Sequence, residues 1–319
     1  MNGENIGENM YKTLLRPCMI FIPLLMGQIF PQAHVLGKAP FHCIKYALIL
    51  MLFLTFLKLE TKEMKVRREH FIVIGVNMIL GIVPFFLLKF FAPSHPDLAK
   101  AAFYIGITPT AAAAPVVVSF LNGRTGFALT GFMLSYVAIT FALFLFLPVV
   151  SGKLTLAFLR EIFLTLFQLV FLPYLLATIV RKLFPATKAI PAKCKTFTFF
   201  LWSITLFLMS ATSRQHFINN PDEPVMELIY IGISAVILCF LSFFLGGKLA
   251  RKKYARESSQ ILGQKNTSFT MFLALQFANP LVAIGPIFYI VCHNSWNAVQ
   301  MFLYDRHRRK RMDKAGEKG

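Results

Sequence analysis

Apolar stretches follow one another along this chain, each about as long as a helix needs to cross ~30 Å of hydrocarbon, and they leave few folds open. Ten can be counted: Leu14 to Phe30, His42 to Leu59, Phe71 to Phe91, Ala101 to Leu121, Phe127 to Val150, Leu159 to Val180, Phe197 to Ser210, Met226 to Leu245, Ser258 to Ala278 and Leu281 to Tyr304. Short polar segments separate them. The pattern predicts an all-α polytopic membrane protein with ten transmembrane helices. Composition agrees, because a soluble core has no place for 35 Phe in 319 residues that are 56% hydrophobic.

A net charge of +19 raises the question of nucleic acid. The basic residues, however, sit in short loops between apolar runs, as in Lys58 to Arg68, Arg181 to Lys195 and Lys248 to Arg256, with a further group from Arg306 on. Basic loops on alternate sides set the orientation of a membrane chain, so the charge predicts a multi-pass protein of the cell (plasma or inner) membrane with both termini cytoplasmic and no nucleic-acid partner. The basic stretch 305–319 then reads as a cytoplasmic tail near acidic lipid.

Ten spans divide into two groups of five, and an odd number per group makes the groups enter from opposite sides as an inverted repeat. In such folds the site lies near the midplane, between discontinuous helices at matching positions. The fourth span carries Ile107-Thr108-Pro109-Thr110-Ala111-Ala112-Ala113-Ala114-Pro115, and the ninth opens with Ser258-Ser259-Gln260-Ile261-Leu262-Gly263-Gln264-Lys265-Asn266-Thr267-Ser268. Two prolines remove helix hydrogen bonds in the first segment. Polar groups at that depth need protein or water around them in the second. Spans 4 and 9 are therefore expected to be broken and crossed, with Lys265 at the centre and a half-helix starting near Thr267, whose free N–H groups favour an anion. A plainer reading has Lys265, ~10 Å deep, snorkelling to the nearer interface.

Leu275-Gln276-Phe277-Ala278-Asn279-Pro280-Leu281-Val282-Ala283-Ile284-Gly285-Pro286 and Cys292-His293-Asn294-Ser295 resemble the ninth and tenth spans of the bile acid:sodium symporter superfamily. Gly263 to Thr267 occupies that family's Gly-Met-Gln-Asn-Ser position. The resemblance implies crossing at spans 4 and 9, with organic anions moved by alternating access. It further implies a single transporter unit over 1–319, with a panel domain at about 12–60 and 159–211 and a core domain at about 69–150 and 226–304. It also places the family's sodium-binding glutamate on Ile261, its Ser-Asn pair on Ala114 and Pro115, its span-3 glutamine near Ile79, its span-5 threonine near Leu134 and its span-9 glutamine on Lys265. Of the usual ligands only Thr130 and Asn266 remain, so sodium is a possible ion whose cage is largely missing, and no other cofactor or metal is expected.

The expected function is secondary active transport of a small organic anion, not sodium-coupled in the usual way, with Lys265 standing where relatives hold an ion. Substrate-binding candidates are Gln264, Lys265, Asn266, Thr267, Thr108, Pro109, Thr110, Pro115, Thr130, His293 and Asn294. His293 either pins the last span or relays protons, and Asn77, Gln28 and Gln168 read as bridges between helices. The alternatives are a sodium-coupled, bile-acid-like symporter and a non-transporting receptor or scaffold on the same fold. Nothing in the spans pairs a nucleophile with a base, so no enzyme is expected. Monomer and homodimer are both open.

Overall fold

The computed structural model describes residues 19–38, 42–59, 64–222 and 224–316, with side chains described as far as residue 307. Leu14 to Cys18, the start of the first apolar run, lie outside the described residues. Among those described, the fold is helical: α1 (Phe21–Ile29), α2 (Cys43–Leu57), α3 (Arg68–Phe91), α4 (Pro96–Gly106), α5 (Ala114–Phe120), α6 (Thr125–Ser151), α7 (Leu156–Leu183), α8 (Lys195–Asn219), α9 (Val225–Leu249), α10 (Ala255–Gly263), α11 (Thr267–Phe277) and α12 (Pro280–Gly316), joined by short turns. Five of these, α3, α6, α7, α8 and α9, are each long and apolar enough to cross a membrane. Large apolar side chains such as Phe90, Phe141, Leu145, Ile237 and Phe244 cover the outer faces, as contact with hydrocarbon requires.

Three boundaries differ from those expected. The seventh run, read as ending at Ser210, continues as helix to Asn219, because Thr212 and Ser213 return their hydroxyls to the carbonyls one turn back and are buried. Helix α3 starts at Arg68 and α10 at Ala255, which brings Glu69 and Glu257 inside helices, both buried. Glu257 Oε1 accepts the Arg124 N–H at 2.7 Å at the start of α6, and Glu227 Oε1 likewise accepts Leu98 N–H at 2.9 Å in the first turn of α4. These acids satisfy orphan helix-start donors, where the dipole also favours negative charge. Glu69 is paired with Arg251 at 3.3 Å. A five-residue π turn, Phe167–Phe171, interrupts α7 just before Pro173, whose ring and missing N–H disturb the preceding turn.

The fourth and ninth runs are each split. Helix α4 ends at Gly106 and α5 begins at Ala114, with Pro109 between them and Pro115 in the first turn of α5, where a missing N–H does no harm. Helix α10 ends at Gly263 and α11 begins at Thr267. The two gaps meet: Thr110 and Lys265 form an antiparallel bridge, with Ala111 N–H on Gln264 O and Asn266 N–H on Pro109 O, both at 2.8 Å. Backbone groups released by one break are thereby satisfied by the other.

Helix α3 approaches the end of α4 backbone to backbone. A Cβ on Gly106 would lie 2.0 Å from Leu80 O, and one on Gly81 would lie 2.7 Å from Ile107 N. Since the obstacle is main chain, nothing can rotate aside. Gly106→Ala is expected to cost at least the roughly 1–3 kcal/mol typical of overpacking. A thermal-unfolding assay in detergent should show a clearly lowered midpoint, while Gly75→Ala, which meets nothing within 4 Å, should match the wild type.

Candidate functional site

The crossing gathers seven of the candidate residues. Gln264, Lys265 and Asn266 form the gap between α10 and α11, Thr267 opens α11, and Thr108, Pro109 and Thr110 form the facing gap. Lys265 is only 2% exposed, and its Nζ donates to the Gly106 carbonyl at 2.7 Å and to Asn77 Oδ1 of α3. Asn77 completes its own bonding by donating Nδ2 to Thr108 O at 3.0 Å. The amine of Lys265 therefore rests on a carbonyl in the last turn of α4, at the negative end of that helix's dipole. The snorkelling alternative fails, because the side chain ends on interior partners.

Around this pair the crossing is tied on every side. Thr110 Oγ1 donates to Ile261 O at 2.7 Å and its N–H reaches Ser135 Oγ at 3.1 Å. Thr108 Oγ1 donates to Tyr104 O at 2.6 Å and lies 2.8 Å from Thr270 Oγ1. Asn266 Nδ2 donates to Tyr136 OH, and Tyr289 OH donates to Gly263 O at 2.7 Å, closing the end of α10. Two buried oxygens are left without partners, Gln264 Oε1 and Thr267 Oγ1. Ile261 fills the space beside Gly131, where a Cβ would come within 2.4 Å of its Cδ1.

The other candidates that hydrogen-bond through their side chains do so outside the two gaps. Thr130 returns its hydroxyl to Gly126 O at 2.8 Å within α6. Pro115 lies in the first turn of α5 and is half-buried. His293 and Asn294 lie on α12, where Asn294 Nδ2 reaches His293 Nε2 at 2.9 Å. Gln28 bridges helices as expected, its Nε2 donating to Ser210 Oγ at 2.8 Å across α1 and α8. Asn77 does more than bridge, because besides donating to Thr108 O it receives the Lys265 amine. A lone amide in the otherwise apolar middle of α3 was the available signal. Gly106, whose carbonyl does the work, left no trace in residue type. Among the described residues no group of three His, Cys, Asp or Glu is arranged to hold a metal ion.

A multi-pass helical membrane protein with two broken helices crossing at a buried polar centre is a transporter architecture. The family model described as "Sodium Bile acid symporter family" matches residues 45–220, more than half of the chain, and the protein belongs to that transporter family. No curated protein matches the sequence. The matched stretch includes Asn77 and the gap at Thr108 to Thr110; Lys265 lies beyond it.

The lysine and its amide partner form one unit, which a double-mutant cycle can expose. Asn77→Leu leaves a buried ammonium with a single carbonyl and is expected to lower the melting point more than Lys265→Met does. The double variant should recover part of the loss, with a coupling energy of roughly 1–3 kcal/mol. Additive effects in thermal unfolding would separate the two residues.

Proposed function

We propose that the protein is a secondary transporter that moves a small organic anion by alternating access and does not need bound sodium at its crossing. One observation carries this reading: the Lys265 ammonium, held by Asn77 and the Gly106 carbonyl, puts a tethered positive charge at the broken helices. By the resemblance, relatives hold a metal ion there, and the position of their acidic ligand is taken by Ile261, buried against Gly131. A fixed cation stabilises the helix end as an ion would, and together with the start of α11 it gives the centre a positive potential suited to an anion.

The packing supports an assignment of moving parts. Helices α1, α2, α7 and α8 pack on one another, while α3, α4, α6, α9, α10 and α12 surround the crossing. In this reading the first group is the panel and the second the core, within ten spans arranged as two inverted repeats. The positive loops put both termini in the cytoplasm of a cell or inner membrane. Monomer and homodimer serve the mechanism equally.

Sodium coupling is the second reading, and the unpartnered oxygens of Gln264 and Thr267 favour it, since hard oxygen atoms are what that ion requires. Purified protein in liposomes separates the readings. Stabilisation by carboxylates and bile-salt-like anions is screened first, because a ligand of the native state raises apparent stability by mass action. Uptake of the best-stabilising anion is then measured with and without an inward sodium gradient. Sodium-independent uptake that Lys265→Met abolishes, with expression unchanged, is the expected result. Uptake that requires sodium supports the second reading, and no uptake with retained binding points to a receptor or scaffold.

A further inference from the structure

The last helix carries Tyr289, His293, Asn297, Gln300 and Tyr304 along one face, at spacings of four, four, three and four. The two ends of this stripe touch α10. Gln260 Nε2 donates to Gln300 Oε1 at 2.6 Å, the Arg256 guanidinium lies 5.3 Å from the centre of the Tyr304 ring, and Tyr289 OH reaches Gly263 O. Between the contacts at 260 and 263, α10 rises only about 4.5 Å, whereas α12 covers about 16 Å between 300 and 289. The middle of the α12 stripe therefore faces the place where α10 stops.

The polar groups there have nothing to bond. Asn297 is 3% exposed and both its amide atoms lack a partner, as do His293 Nδ1 and Gln260 Oε1, all buried. Their roles are fixed by bonds made elsewhere. Asn294 Nδ2 donates to Ile290 O at 2.8 Å and to His293 Nε2, which leaves the neutral ring's proton on Nδ1. Gln260 has committed its amide nitrogen to Gln300, so its oxygen is an acceptor. The seam thus offers donors from His293 and Asn297 and acceptors from Gln260 and Asn297. An anion would meet the acceptors and a cation the donors. A small neutral molecule that both gives and takes hydrogen bonds suits all of them.

We propose that the seam between α10 and α12 is a hydrated site, holding buried water among Gln260, His293 and Asn297 near the end of α10. Buried polar groups retained without protein partners are where internal water resides. The proposal does not rest on the transport reading, since water occupancy is independent of what the protein carries.

Two measurements test it on the full-length protein. In a background with the native cysteines replaced by serine, Asn297→Cys and Leu273→Cys, the latter in the apolar core, are treated with 2-aminoethyl methanethiosulfonate. Thiolate forms only where water solvates it, so Asn297→Cys is expected to react at least roughly tenfold faster. Equal, slow rates would overturn the proposal. The second variant, Asn297→Leu, is read by its melting point, which also decides the matter if the cysteine variant does not fold. In a dry seam, removing two orphaned polar atoms raises the midpoint. In a hydrated seam it strands the water and lowers it, which is the expected outcome, and a raised midpoint would refute the site.

Discussion

Two backbone hydrogen bonds, Ala111 to Gln264 and Asn266 to Pro109, are what the rest of this molecule is arranged to permit. A break in a membrane helix strands carbonyl and N–H groups where no water replaces them, and each costs several kcal/mol if unpaired. Either gap alone would be untenable. Set antiparallel, each supplies the donors and acceptors the other has lost, and the side chains of Thr108, Thr110 and Asn266 take up part of what is left. Proline chemistry opens the first gap, and at the second, where α10 ends, Gly263 leaves room for the Phe243 ring. The close contact of Gly81 and Gly106 brings α3 near enough for its one central amide to take part.

The charge at the centre follows the same economy. An ammonium in a low-dielectric interior is ordinarily neutralised by an acid or by losing its proton. Here it meets a helix-end carbonyl and an amide oxygen, both neutral, with the α4 dipole behind the first. The buried acids of the molecule are occupied elsewhere: Glu227 and Glu257 receive the first N–H groups of α4 and α6, and Glu69 faces Arg251. The partners of the Lys265 amine are thus neutral oxygens, with no carboxylate among them. The proposed role in drawing in an anion requires that amine to carry its proton.

Much of this was legible in residue order. Proline at 109 and 115 announces a break through local backbone chemistry, and the apolar runs announce helices through burial, because both effects act within a few residues. Thr267 as the start of a half-helix follows the same rule. What sequence could not supply is which distant groups meet. Asn77 lies 188 residues from Lys265, and an isolated amide looks the same whether it bridges helices or receives a cation. The helix boundaries at Glu69 and Glu257 slipped because a charged residue reads as loop until the N–H or cation it bonds is known. The overlong α8 has the same cause, since Thr212 and Ser213 look polar in sequence yet spend their hydroxyls inside their own helix.

The closing helix has a mechanical consequence. At 37 residues, α12 is about 55 Å long, nearly twice the ~30 Å thickness of a bilayer's hydrocarbon core. Beyond its last contact with α10, at Tyr304, the helix runs on as far as Gly316, so any tilt of α12 would be carried into the basic Arg306 to Arg311 stretch with its amplitude increased by the length of the lever.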